Sequence, residues 1–281
     1  MEKINILVTL DENYIKYMNV MITSLLESNQ GCAFDIYLLH TDIPDVALNE
    51  TRNILKAGGN LIPIKAENIG LDDAPTTARY PKEMYYRIFA AKYLPDTLDR
   101  VLYLDPDLIV NGELGSLYHL PMDQYYFAAA SHTGQIMTMV NSLRLDMDDE
   151  SPYINSGVML INLELLRKEQ RYKDVFEFIK KRKNFLILPD QDIISGLYGS
   201  KILALDTFKY NMTENLYMTH APFEKNMNID WVRKNSVIIH YCGRNKPWKP
   251  NYIGQLDIFY KETVSRMQSN QKDFKVNTTR K

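Results

Sequence analysis

A chain of 281 residues is long enough for one large domain, or for a domain with a smaller lobe. Its 45% hydrophobic and 24% charged content is ordinary for a globular protein, and a formal charge of −2 offers no basic field to nucleic acid. The two cysteines, Cys32 and Cys242, fit neither a metal spacing nor a disulfide framework, so a reducing cytoplasm is the default setting.

The apolar run at residues 4–10 is too short for a signal peptide and is followed at once by Asp11 and Glu12; no run spans a bilayer. That run reads as a first, buried strand. A helix is predicted to reach residue 28, with Tyr14, Met18, Met21, Ile22, Leu25 and Leu26 on one face. A second strand (33–39), a second helix (44–57, stopped by Gly58-Gly59) and a third strand (61–64) follow. This β-α-β-α-β rhythm argues for a parallel sheet and a nucleotide-binding half. Neither a dinucleotide fingerprint nor a Walker loop is present. Phosphates, if bound, must therefore be held by a metal and scattered side chains.

Residues 66–79 form a polar segment of the kind that closes over a ligand. A helix is predicted for 82–94, strands for 100–104 and 127–130, and helical structure for 136–143. The Asn155-Ser-Gly corner feeds an apolar strand, then a long charged helix at 164–183. Leu188-Pro-Asp-Gln-Asp192 resembles a helix start, its acidic groups near the positive end of the dipole. A strand near 201–205, a loop-rich 211–230 and a last strand at 236–240 complete the body. The final thirty residues turn polar and basic, as a tail or surface helix. Asn211 and Asn277 open Asn-x-Thr sequences, which mean nothing in a cytoplasmic protein.

The organising stretch is Arg100-Val-Leu-Tyr-Leu-Asp-Pro-Asp-Leu-Ile-Val110. It opens with an apolar strand ending in two carboxylates one residue apart, which face the same way if the chain stays extended. Pro106 favours that conformation for Asp105. Ligands bind at such strand ends in open α/β sheets. His240 ends another predicted strand, so Asp105, Asp107 and His240 can meet. Two oxygen ligands and an imidazole suit Mn²⁺ or Mg²⁺ better than zinc. Separately, the Asp pair is also compatible with a polar loop start, and His240 with a satisfied core histidine.

Six segments occur in the order of a known family: Val8-Thr-Leu-Asp-Glu-Asn-Tyr14, Tyr85-Tyr-Arg87, Leu102-Tyr-Leu-Asp-Pro-Asp107, Tyr153-Ile-Asn-Ser-Gly-Val-Met-Leu-Ile-Asn162, Pro189-Asp-Gln-Asp192 and His240-Tyr-Cys-Gly-Arg-Asn-Lys-Pro-Trp248. Over residues 4 to 250 the sequence resembles family 8 of the glycosyltransferases, which includes bacterial lipopolysaccharide galactosyl- and glucosyltransferases and the glycogenins.

The resemblance implies an α/β fold of GT-A type, a Rossmann-like mixed but mainly parallel sheet flanked by helices. It also implies a retaining hexosyltransferase that uses Mn²⁺ (or Mg²⁺) and UDP-glucose or UDP-galactose. Asp105, Asp107 and His240 would hold the metal, while Gly243 and Lys246 would face the phosphates. Thr9, Asp11 and Tyr14 would hold the uridine, although Tyr14 equally suits the apolar face of the first helix. Arg87, Asn155, Ser156 and Gly157 would line the donor sugar. Asp190 and Gln191 would stand at the reacting centre, where Asp190 also reads as a helix cap. An amide is a poor nucleophile, so attack by the acceptor on the face the diphosphate leaves is expected over a glycosyl-enzyme.

The resemblance implies one GT-A domain over 1–250, with a nucleotide-binding half (1–110) and a sugar and acceptor half (111–250), then a basic extension (251–281). The acceptor would be a glycan, lipid-linked or protein-linked hydroxyl. The protein is expected in the cytoplasm, with at most peripheral contact between its C-terminal tail and the inner face of the membrane. Two alternatives stay open: a nucleotide-sugar-binding module without turnover, and a haloacid-dehalogenase-type phosphatase. The second also uses Asp-x-Asp after an apolar strand, but on its first strand.

Overall fold

The computed structural model describes residues 2–67, 71, 74–76, 82–148 and 150–278, with backbone alone for 135, 136 and 270–278. Most of the segment 66–79 expected to act as a lid therefore lies outside the described residues, as do the side chains of the basic C-terminal end.

Nine strands are present among the described residues: β1 (Glu2–Thr9), β2 (Cys32–His40), β3 (Gly59–Lys65), β4 (Arg100–Leu104), β5 (Leu108–Val110), β6 (Phe127–Ala129), β7 (Val158–Asn162), β8 (Ile202–Ala204) and β9 (Ile238–His240). Seven form one sheet in the order β3-β2-β1-β4-β7-β6-β8, and β5 pairs with β9 in a separate ribbon. β3, β2, β1 and β4 are parallel, as are β6 and β8; β7 runs antiparallel to both its neighbours. This is the mixed, mainly parallel sheet the family resemblance implies.

Alternate side chains on each strand point to opposite faces. Leu7, Leu39, Val101 and Tyr103 face one core, under the helices Leu163–Glu169, Tyr172–Arg182 and Pro189–Tyr198. Ile6, Val8, Leu38, Leu102 and Leu104 face the other, with Met18, Met21, Ile22 and Leu25 of the helix Ile15–Ser28. Burial on both faces explains why the strands read as near-continuous apolar runs. A third core lies under the β5–β9 ribbon, where Ile109, Ile239, Leu256 and Phe259 pack together.

Several predicted elements differ. The helix expected at 164–183 is two, Leu163–Glu169 and Tyr172–Arg182. Gln170 and Arg171 are extended between them, and the Gln170 amide donates to the Ile88 carbonyl at 3.0 Å and the Tyr198 hydroxyl at 3.1 Å. The helix expected at 82–94 is broken by a 3-10 turn at Arg87–Phe89. The loop-rich 211–230 contains the helix Glu214–His220 and the start of Ile229–Asn235. Each has a side-chain cap, Thr213 on the Leu216 N–H and Asn228 on the Trp231 N–H. Those two caps were the missed signal. The basic C-terminal stretch is the helix Asp257–Thr278, and its first turns bury Phe259 and Thr263.

Candidate active site

Three distant parts of the chain meet at the carboxyl ends of β1 and β4. Past Leu104 the pairing with β7 runs one residue further, the Asp105 N–H donating to the Gly157 carbonyl at 2.8 Å. Pro106 and Asp107 then lead into β5, whose first residue, Leu108, lies opposite His240 in β9. The Asp107 carbonyl accepts from the Tyr241 N–H at 3.0 Å. The ribbon thus carries the imidazole to the carboxylates. His240 Nε2 stands 3.2 Å from Asp107 Oδ1 and 3.7 Å from Asp105 Oδ2, and one donor atom from each residue falls within 4.8 Å of the others.

These donors fit a divalent cation. Asp107 Oδ1 and His240 Nε2 are buried, and neither has a hydrogen-bond partner. Such orphaned atoms are costly, and a shared cation would satisfy both. Gly157 keeps the space in front of them open: a Cβ there would lie 2.7 Å from Asp105 Oδ2 and overlap the His240 ring. The Lys246 ammonium pairs with Asp107 Oδ2 and donates to the Tyr241 carbonyl. Burial pushes the Asp107 carboxyl up, but the opposing charge, chiefly that of the Lys246 ammonium, holds Asp107 well below the usual carboxylate range.

Arg87 sits behind Asp105. Its Nη1 lies 3.1 Å from Asp105 Oδ1 and 3.1 Å from Asp190 Oδ2, and donates to the Ser156 carbonyl at 3.2 Å. The guanidinium lies over the Tyr103 ring, 4.3 Å from its centroid. Burial works against its charge, but the aspartates dominate and raise its pKa. Tyr103 donates to Asp105 Oδ1 at 2.6 Å, so its oxygen accepts from Thr9 Oγ1 at 3.1 Å. The Thr9 hydroxyl therefore orients Tyr103. The Ser156 hydroxyl donates to Asp190 Oδ2 at 2.6 Å, and burial, only partly offset by Arg87, pushes the Asp190 carboxyl up.

Asp190, Gln191 and Asp192 begin the helix Pro189–Tyr198 but have separate environments. Asp192 is wholly buried and accepts from Arg144 on both oxygens, from the Tyr153 hydroxyl, and from the N–H groups of Ile187 and Leu188. It anchors the helix start. Gln191 Oε1 accepts from Asn155 Nδ2 at 2.9 Å.

Next to Lys246, a cavity of about 670 Å³ is lined by Tyr14, Lys16, Gly243, Arg244, Lys246 and Trp248, among others. Tyr14 is half-buried there. Gly243 has φ +86°, a conformation open mainly to glycine. Trp248 stacks on Tyr17, ring centroids 3.6 Å apart. Asp11, expected to hold the uridine, is not among the lining residues; it caps the turn Glu12–Tyr14 through the Asn13 N–H at 2.9 Å. Of the residues expected from the sequence, Tyr14, Gly243 and Lys246 line this cavity, and Asp105, Asp107, His240, Arg87, Ser156 and Asp190 are joined by the contacts at the sheet edge.

Residues 5–251 match the family model described as glycosyl transferase family 8. The chain belongs to that family. This family 8 glycosyltransferase is 27% identical over 255 residues to a lipopolysaccharide 1,2-glucosyltransferase of Escherichia coli K12, covering 88% of this chain and 73% of that protein. It is 26% identical over 249 residues to general stress protein A of Bacillus subtilis, covering 86% of each. Among solved structures, the galactosyltransferase LgtC in complex with donor and acceptor sugar analogues aligns with a TM-score of 0.80 at 23% identity. That alignment covers 94% of this chain and 96% of LgtC, and identifies the fold as GT-A.

Three residues of this glycosyltransferase escaped the sequence reading. Tyr103 and Trp248 lie inside quoted motifs, yet no spacing rule distinguishes them from core aromatics. Asn211, fully buried beside His240, was visible only as part of a sequon. His132 is half-buried, with Nε2 at 2.8 Å from the Asn211 carbonyl.

Proposed function

We propose that this family 8 glycosyltransferase moves glucose or galactose from a UDP-sugar to a hydroxyl of a glycan, lipid-linked or protein-linked acceptor, with retention at the anomeric carbon and dependence on Mn²⁺ or Mg²⁺. One observation carries the reading: Asp105, Asp107 and His240 converge with two orphaned donor atoms beside a cavity lined by Tyr14 and four basic residues. A lipopolysaccharide 1,3-galactosyltransferase of Salmonella typhimurium, 27% identical over 253 residues, stands beside the glucosyltransferase relative and keeps both hexoses in view. The two free cysteines favour the cytoplasm.

Bound by these ligands, the cation would neutralise charge on the departing diphosphate. Lys246 and the Gly243 backbone face the same group. Tyr14 stacks on the uracil at the mouth of the cavity. Arg87 links Asp105 to Asp190 and so fixes the spacing between the diphosphate and the sugar. Asp190 orients sugar hydroxyls through the oxygen not engaged by Ser156 and Arg87. Gln191, one lone pair of its carbonyl taken by Asn155, offers the other to the positive charge that develops at the anomeric carbon.

Asp192 is fully occupied and Asp190 is ion-paired with Arg87 and accepts from Ser156, so neither is an unpaired carboxylate suited to form a covalent intermediate. Attack by the acceptor on the face from which UDP departs follows. The test is release of UDP from UDP-glucose or UDP-galactose with Mn²⁺, repeated with EDTA. Turnover that EDTA abolishes supports the reading. No turnover, or turnover indifferent to EDTA, contradicts it, and so does a glycosyl adduct trapped on Gln191, Asp190 or Asp192.

A further inference from the structure

A backbone group fixes the polarity of a side-chain relay that runs from the metal ligands to the reacting centre. The Gly157 N–H can only donate, and it points at an amide atom of Asn155 at 3.1 Å, so that atom is the oxygen. The same oxygen is 3.0 Å from the side-chain amide of Asn211, which must therefore present its NH₂ there. The Asn211 oxygen then faces His240 Nδ1 at 2.9 Å. Nδ1 carries the imidazole proton, and Nε2 keeps a bare lone pair towards Asp105 and Asp107. At the other end, the Asn155 NH₂ donates to Gln191 Oε1 at 2.9 Å.

Asn211 is the junction. It is fully buried, its N–H donates to the Thr207 carbonyl at 3.0 Å, and its carbonyl lies 2.8 Å from His132 Nε2. We propose that Asn211 is a positioning residue: it sets the tautomer of His240 for cation binding and, through Asn155, holds the Gln191 carbonyl in place. This rests on the cation reading above. An orienting partner on the second imidazole nitrogen governs both tautomer and ring direction, and losing one costs about 10- to 100-fold in metal affinity.

The test uses the full chain labelled with ¹⁵N-histidine and freed of metal, followed by titration with Mn²⁺ alone. The wild type should show His240 protonated on Nδ1, and Asn211→Ala should lose that preference and bind Mn²⁺ about tenfold or more weakly. Asn211→Asp has the same shape and still accepts from Nδ1, but it turns an oxygen towards Asn155. It should keep the tautomer and the Mn²⁺ affinity while kcat falls about tenfold, and it decides the matter should the alanine variant not fold. A wild-type His240 protonated on Nε2, or unchanged affinity in Asn211→Ala, or unchanged kcat in Asn211→Asp, overturns this inference alone. A wild type that binds no Mn²⁺ overturns the cation reading with it.

Discussion

At Gly157 a single methyl group would enter the space between the ring of His240 and the carboxylate of Asp105. Gly157→Ala is expected to weaken Mn²⁺ binding about 100-fold, measured by electron paramagnetic resonance of free Mn²⁺. Asp190 and Asp192 differ more than two residues of spacing suggest. Removing Asp192 leaves Arg144 unpaired and two N–H groups without an acceptor. Asp192→Ala should therefore destabilise the fold by about 3–5 kcal/mol, read from urea midpoints. Asp190→Asn should instead lower kcat about 100-fold while the protein stays folded, because Arg87 keeps Asp105 as its partner. The sequence shows both residues as acidic groups in one motif. Which is the anchor and which joins the Arg87 cluster depends on Arg144 and Arg87, contacts separated by 48 and 103 positions that no local pattern records.

Among elements, strands buried on both faces declare themselves as apolar runs, and β1, β2 and β4 were legible within two residues. The short β5 was not predicted as a strand. Three residues carry little periodicity, and its existence depends on pairing with β9 more than a hundred residues later. The divided helix around Gln170 escaped for the same reason, since distant acceptors override a helix-forming run. Glu214 gives the C-terminal helix its attachment: its carboxylate accepts from the N–H groups of Gln255 and Leu256 and from the Tyr252 hydroxyl. Glu214→Ala should cost about 2–4 kcal/mol, measured by chemical denaturation, through those unpaired groups and a loosened Leu256–Phe259 contact with the third core.

For the molecule as a whole, acid should act partly through His132. Burial is the main cause that lowers its pKa, with the nearby His240 adding to it, to about 4 from an ordinary 6.5. A depressed folded-state pKa means that the unfolded chain takes up the proton first. The contribution is complete above pH 6.5 and is lost as pH falls towards 4, by about 2–3 kcal/mol. Replacing His132 with Gln should flatten the stability profile in that window, followed by thermal unfolding at successive pH values. No helix among the described residues is long and apolar enough to cross a membrane.

The parallel half of the sheet was legible from its β-α rhythm. The reversal at β7, which turns the Asn155-Ser-Gly157 corner towards Asp105, was accessible only through family resemblance. That reversal, together with the β5–β9 ribbon, brings Asp105, Asp107 and His240 together as candidate cation ligands. Calorimetric titration of UDP with and without Mn²⁺, on the wild type and on His240→Ala, tests the assembly most directly. The expected result is UDP binding that requires Mn²⁺ at one ion per chain and is lost in the variant. Tight UDP binding without the ion, or Mn²⁺ uptake unaltered by the substitution, would contradict it.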